Sequence, residues 1–511
     1  MSHKRKILQG SASNMARVLL SMLIALLLPP LLVHHMGPAQ YGAWVLILQI
    51  GAYVNLLDLG LQTAVGKYVA EFDALGDRIA SSRVLSSSFS ILCLSASVGA
   101  AAIMVIAWRV PKLFHQMPIF LIREAREGIL LVGLSTVLAL PFGAFLAAFT
   151  GLQKYGFPTA WAMTTKVLAS ASLAILLLTH GTLVQLAWLM ASFNVVTAIG
   201  QFLGWRKYAK ERVDFSWKLV DAEMALRLAK YGSVLSVWTI ATLLISGLDL
   251  VIVGHYDYKN TGYYGIASGA TNFMLLVIGS LFGPLLPAVS SLQTVRTATQ
   301  IGEMALNATR YCALLICLIG LPLLFGAYPL LRLWVGHDYA TRSALFLEVL
   351  VLGNIIRQLG YPYALVVVAT GKQHLATIAA VSEAVVNVSV SIYLVEKIGA
   401  VGVAIGTVVG AVVSLGLHVV VSMKFTRSTI SISRRRFFLE GLLRPLSAII
   451  PSILLLPLWS RTTMLPLNPL WMAIWSVSTL VFIWFFGLKR AERDDFLDEM
   501  LRLIYRRKLQ V

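Results

Sequence analysis

The chain has 511 residues, of which 58% are hydrophobic and only 13% charged, about half the charged share of a soluble globular domain. Its formal net charge is +19, yet the basic residues gather in short segments between apolar runs, a pattern that orients a membrane protein and does not mark a nucleic-acid binder. A soluble chain and a nucleic-acid partner are thereby excluded, and an all-α polytopic protein solvated mainly by lipid is left.

Apolar runs long enough to cross a bilayer, about 20 residues each, recur from end to end. The first, 15–36, follows Lys4, Arg5 and Lys6. It carries Pro29 and Pro30 and no small-residue cleavage site, so a retained span is expected and not a removed signal peptide. Further spans are expected at 42–64, 84–108, 128–150, 158–179, 182–204, 231–254, 263–289, 310–334, 344–369, 373–395, 400–423, 443–460 and 468–488, about fourteen in all. The longest connections, 205–230, 290–309 and 424–442, have room only for loops or short helices.

An even number of spans puts both termini on one side, and charge says which. Arg206, Lys207, Lys210, Arg212, Lys218, Arg227 and Lys230 follow the sixth span. Lys424, Arg427, Arg434, Arg435, Arg436 and Arg444 follow the twelfth. The alternate connections are sparse: Arg109, Lys112, Arg123 and Arg126, then singles such as Lys259, Lys397 and Arg461. Both termini are therefore expected in the cytoplasm. In the C-terminal tail, Phe496, Met500 and Ile504 share one helical face with Leu497 and Leu501 beside them, as in a helix lying on the anionic inner leaflet.

The halves echo each other. Gly37–Gly42 (GPAQYG) is similar to Asn260–Gly265 (NTGYYG), and Thr150–Lys154 (TGLQK) to Thr370–Gln373 (TGKQ). Nearly equal offsets suggest six spans duplicated in parallel orientation, as in transporters whose halves face a central cavity. The expected divisions are 1–204 (first six-helix bundle), 205–230 (cytoplasmic linker), 231–423 (second bundle), 424–488 (basic loop and two further spans) and 489–511 (amphipathic tail).

No Walker loop, dinucleotide fingerprint, G-x-S-x-G or H-E-x-x-H motif occurs, so no catalytic residue, metal or cofactor is expected and the chain is read as not an enzyme. Cys93, Cys312 and Cys317 lie in apolar runs without metal or redox spacing and read as small buried hydrophobes. The segment 109–127 holds Glu124 and Glu127 beside Arg123 and Arg126, at the spacing of helix ion pairs.

Ionisable groups within the spans carry the chemistry, because a charge in hydrocarbon is costly and usually faces a wet cavity or a partner. They are Asp58, Lys166, Asp249, Arg357 and Glu383, with Arg17, Arg332 and Glu348 nearer span ends. Lys166 and Glu383 also suit structural ion pairs, Asp249 a helix cap or kink, and Arg17 and Arg332 snorkelling to an interface. Pro29, Pro30, Pro141, Pro284, Pro287, Pro322, Pro329 and Pro362 would bend helices, and Gly402, Gly406 and Gly410 form a packing ridge.

Four stretches are similar to one known family. Met36–Glu71, beginning MGPAQYGAWVLILQIG, resembles the opening signature of the Wzx-like polysaccharide flippases, within the multidrug/oligosaccharidyl-lipid/polysaccharide (MOP) superfamily. Asp249–Ala267, Trp334–Leu350 and Thr370–Thr407 resemble later stretches in the same order. The resemblance implies two six-helix bundles in a V around a central cavity, with two appended C-terminal helices. It implies alternating-access transfer of an undecaprenyl-pyrophosphate-linked oligosaccharide to the periplasmic leaflet of a bacterial inner membrane.

A doubly anionic headgroup cannot cross about 30 Å of hydrocarbon unaided. Lys166 and Arg357, with Arg17 at the cytoplasmic mouth, are the expected substrate-binding cations. Asp58, Asp249 and Glu383 are the acids expected either to couple transport to a proton or sodium gradient or to form ion pairs in the cavity. The expected partners are the lipid-linked oligosaccharide, membrane lipids, and a polysaccharide polymerase with its assembly proteins, and the chain is read as a monomer. Competing readings are a cation-coupled multidrug antiporter of the same superfamily, a lipid II flippase, a membrane-embedded polymerase or glycosyltransferase, and a non-catalytic scaffold.

Overall fold

The computed structural model describes residues 3–292, 296–447, 450, 477–487, 490 and 493–494, with side chains from residue 18 onward at most positions. All regular elements among them are helical. Eleven helical segments are long and apolar enough to cross a membrane, and the shorter apolar segment Leu243–Tyr256 falls in the expected seventh span. Most of the expected thirteenth span, about half of the fourteenth and nearly all of the tail lie outside the described residues.

The helices run α1 (His3–His35), α2 (Pro38–Tyr53), α3 (Leu61–Ala74), α4 (Arg78–Leu113), α5 (Ile119–Ala139), α6 (Gly143–Gly151), α7 (Gly156–Leu178) and α8 (Leu183–Tyr208). They continue as α9 (Ala222–Ser246), α10 (Leu248–Tyr256), α11 (Thr261–Phe282), α12 (Leu285–Leu292), α13 (Ala298–Phe325), α14 (Ala327–Val335), α15 (His337–Ala369), α16 (Gln373–Ile398) and α17 (Ala400–Leu417). The connections after α3, α6, α8, α12 and α15 share one end, which carries most of the basic residues. Those after α1, α4, α7, α10, α14 and α16 share the opposite end.

Several elements depart from the expected boundaries. The second span is broken between α2 and α3 by a tight turn at Val54–Asp58, after which Leu59 and Gly60 are both left-handed at φ 49° and 68°. Such backbone is free for glycine and strained for leucine. Pro141 lies in the turn between α5 and α6, and Pro284 between α11 and α12, because proline removes a helix donor. Pro29, Pro30, Pro322 and Pro362 sit inside continuous helices.

The expected span 310–334 becomes two helices. A capping box of Thr297 and Gln300 starts α13 early, and Gly326 separates it from α14. The connection expected at 109–127 shrinks to 114–118, and within α5 Arg123 and Glu127 pair at 2.9 Å, as their spacing predicts.

The basic linker is also shorter than expected, occupying 209–221. It is laid along a serine face of α4: Asp214, Ser216 and Asp221 donate backbone N–H groups to Ser82, Ser86 and Ser87 at 2.8, 3.2 and 3.0 Å. Those hydroxyls satisfy backbone donors that an irregular segment cannot satisfy itself. Phe89, Phe145, Phe202 and Trp205 pack beneath it, and Phe215 of the segment itself meets the Phe89 ring.

At the two TG turns, Gln153 and Gly371 are left-handed. The adjacent Lys154 and Lys372 each donate to a carbonyl at a helix C-terminus, Tyr208 at 2.6 Å and Phe425 at 2.8 Å. A cation in that place satisfies an orphan acceptor and suits the helix dipole.

Candidate functional site

Between α2 on one side and α9–α11 on the other lies a cavity of about 590 Å³, lined among others by Tyr41, Val45, Gln49, Gly247, Ser268, Gly269 and Asn272. Its described lining is neutral and mixed in polarity. Toward the basic end, a second cavity of about 420 Å³ opens beside the α2–α3 break, with Asn55, Asp58, Ser236, Tyr361 and Gln373 on its walls.

The opposite end is sealed by backbone. The N-termini of α2 and α11, which begin at the two echoed GPAQYG and NTGYYG segments, lie against each other. A β-carbon built on Gly42 would sit 3.2 Å from the Gly262 nitrogen, and one on Gly262 only 2.5 Å from the Pro38 carbonyl. Tyr258 donates to the Ala39 carbonyl at 2.8 Å, Gln116 to that of Tyr256 at 2.8 Å, and Trp334 to that of Leu26 at 2.6 Å. Asp257 accepts from the first backbone N–H of α17, at Ala400, and from Asn260.

Gly262→Ala is therefore expected to part α2 from α11, since a backbone carbonyl cannot yield cheaply to a methyl group. With a reporter at Asn272→Cys, a membrane-impermeant thiol reagent added at the sealed end should label only the Gly262→Ala protein. Equal labelling with and without the alanine would dismiss the glycine contact as the seal.

Behind the central cavity, α10 carries Asp249 into a buried oxygen cluster. The break at Gly247 places it there, 5% exposed, where Thr407 of α17 and Tyr264 of α11 donate to its Oδ2 at 3.0 and 3.2 Å. Next to them Ser391 donates to Asn387 Oδ1 at 2.9 Å and approaches the Val403 carbonyl at 3.3 Å. Asn387 in turn donates to the Ile245 carbonyl at 2.7 Å. The glycine ridge makes this possible: Gly402, Gly406 and Gly410 lie against Leu394, Ser391 and Asn387, with no room for a side chain at the first two. One carboxylate among neutral oxygens balances a single positive charge, as a hard monovalent cation or a proton requires.

Of the other sequence-selected residues, Arg357 lies within electrostatic range of Asp249 and Tyr264, and Glu383 lies with Asn387 against Gly410; the rest are dispersed. Glu383, expected as either a coupling acid or an ion-pair partner, pairs at 2.5 Å with Arg357, the expected cavity cation. Arg357 also donates to Asn354 Oδ1 at 2.6 Å. This pair borders a cavity of about 320 Å³ within the α15–α17 region, with Gln358, Ser414 and His418. Lys166 of α7 donates to Ser21 of α1 at 2.8 Å, on an exposed face between those helices. Asp58 faces the cavity near the basic end, with its Oδ1 lacking a hydrogen-bond partner. Arg332 is exposed on α14 and Glu348 half-buried on α15. Arg17 lies on α1, but its side chain is outside the described residues.

Sequence reasoning missed Tyr264, Asn387, Ser391 and Thr407. Asn387 and Ser391, four apart on one face of an apolar helix, were a signal in the sequence; a tyrosine and a threonine in a span were not.

No family model matches the sequence, and no curated protein does. Solved structures do match by fold. A structure of the lipid II flippase MurJ in an inward closed conformation aligns with 92% of this chain and 96% of its own, at 16% identity and TM-score 0.68. An inward-facing multidrug resistance MATE transporter of the MOP superfamily aligns with 78% of this chain and 92% of its own, at 15% identity and TM-score 0.63. A MOP superfamily transporter from Pyrococcus furiosus aligns over 83% and 96%, at 16% identity and TM-score 0.52. These are transporters and not enzymes, and at such identity the likeness is one of fold. The chain is a multi-pass membrane protein with the fold of MOP superfamily transporters.

Proposed function

We propose that this protein is a flippase that carries a polyprenyl-pyrophosphate-linked oligosaccharide from the cytoplasmic to the periplasmic leaflet of a bacterial inner membrane by alternating access. The observation that carries the proposal is a cavity between helices of the two sequence halves, sealed at one end by the α2–α11 backbone contact, in a fold shared over 92% of the chain with a lipid II flippase. The basic end is cytoplasmic by the charge rule. Residues 1–204 and 231–423 form the two moving bundles, a division supported by the sequence echoes and the paired lysine caps.

In this mechanism the glycan occupies the cavity and the polyprenyl tail stays in lipid. Lys166, exposed between α1 and α7, meets the headgroup from the side, with Arg17 at the mouth. A monovalent cation at Asp249, Asn387, Ser391 and Thr407 drives the return step. The chain acts as a monomer beside the polymerase that consumes its product.

The test is headgroup accessibility of a lipid-linked oligosaccharide in proteoliposomes. Protein-dependent crossing is expected, slowed about 10-fold or more by Lys166→Gln if a charge-assisted contact is lost. No crossing under any imposed ion gradient would remove the flippase reading. The neutral lining of the central cavity favours a second reading, a cation-coupled multidrug antiporter, which would then show efflux of cationic dyes.

A further inference from the structure

The basic end of the cavity is crossed by a reciprocal contact between the sequence halves. Lys67 of α3 lies 4.4 Å from the ring centroid of Tyr231 on α9, and Arg227 of α9 lies 4.8 Å from that of Tyr68 on α3. The two tyrosines meet edge to face at 5.9 Å, and Lys67 also lies 4.8 Å from Tyr68. Alongside, Gly232 brings α9 onto the left-handed turn: a β-carbon there would lie 2.3 Å from the Leu59 carbonyl. The cavity holding Asp58 and Ser236 begins at this turn.

Both cations are exposed, and neither forms an ion pair with a described carboxylate. An exposed cation is held only weakly by a ring face. A phosphate is the stronger partner, because it offers charge-assisted bonds and matches the guanidinium fork two oxygens at a time. A pyrophosphate arriving at this mouth, with more than one charge and oxygens enough for both cations, therefore competes for the groups that hold α3 to α9.

We propose that Lys67 and Arg227 form an entry site for a pyrophosphate headgroup, and that binding it releases the α3–α9 clasp and opens the basic end. This rests on the flippase reading for the identity of the cargo, and adds a recognition site outside the cavity together with a gate that the cargo itself unlocks. Tyr231, partly exposed and freed from Lys67, is left as a ring on which a sugar face can pack.

The test uses the full chain in phosphatidylcholine nanodiscs with Ser236→Cys as a reporter behind the clasp, and the parent chain as the blank for the native cysteines. Labelling by a soluble maleimide is expected to rise about 10-fold with undecaprenyl pyrophosphate in the disc, as a charge-assisted bond replaces a ring contact. Inorganic pyrophosphate giving the same rise would show that the headgroup suffices, and a rise only with the lipid that the tail must present it; both support the site. Lys67→Gln/Arg227→Gln should label fast without any ligand and respond to none, whereas Lys67→Arg should still respond.

Unchanged labelling with both pyrophosphates, or a double variant that still responds, would overturn the proposal. So would an equal rise with phosphatidylglycerol alone, which would mark a sensor of bilayer charge. Because the readout is gate opening and not lipid crossing, failure here leaves the flippase reading intact, and absence of crossing leaves this result intact.

Discussion

Asp249→Asn is expected to lower cation-driven transport by about 100-fold or more, equivalent to roughly 2.7 kcal/mol, while leaving the protein folded. The substitution keeps the size of the side chain and removes its charge. Asp249 is the one carboxylate in a cluster whose other described members, Tyr264, Asn387, Ser391 and Thr407, are neutral. Without it nothing there offsets the charge of a bound cation, whose desolvation then goes uncompensated.

A second measurement isolates binding from transport. A cation bound only by the folded form raises the melting temperature in proportion to the logarithm of its concentration. Titrating sodium chloride against potassium chloride at constant ionic strength should raise the melting temperature of the parent and leave Asp249→Asn flat. A variant that keeps both its sodium response and its driven transport would move the coupling site elsewhere, with Asp58 in the cavity near the basic end as the next acid to examine.

Arg357→Ala should destabilise the protein by about 3–5 kcal/mol, the usual result of removing one partner from a buried ion pair. Glu383 is 3% exposed and its Oε1 takes the Arg357 Nε–H. The alanine leaves that carboxylate buried without its counter-charge and also takes the donor from Asn354 Oδ1. The double change Arg357→Met/Glu383→Leu removes both charges and should recover most of the loss, since apolar groups of similar volume replace such pairs at little cost. Thermal unfolding of the parent, the single variant and the double variant in one detergent checks this. Equal losses in the single and double variants would mean that packing around α15 and α16, and not the charge pair, sets the stability there.

The same pair shows where sequence reasoning stopped. Charge inside an apolar run marked Arg357 and Glu383 as unusual, and gave one the cargo and the other either the ion or an unnamed ion-pair partner. The structure joins the two, on adjacent helices 26 residues apart in the chain. Asp249 was marked in the same way, but its partner Thr407 lies 158 residues away, and a threonine in a transmembrane helix raises no alarm in a sequence. Lys166 and Ser21 meet across 145 residues for equally non-local reasons.

Local physics was legible. The length of an apolar run against the thickness of a bilayer is a property of consecutive residues, so the membrane class, the helical fold and the approximate places of the spans followed from the sequence alone. The clustering of basic residues in alternate connections is likewise read residue by residue. Helix rotation and the depth of each packing contact are not local. They decided that the second span breaks at Leu59–Gly60, that the glycine ridge of α17 draws Asn387 and Ser391 beside Thr407, and that two echoed segments close one end of the cavity on each other. Apolar faces in lipid dictate that helices form but not which polar side chains meet, because that pairing is settled only when small residues let particular backbones approach.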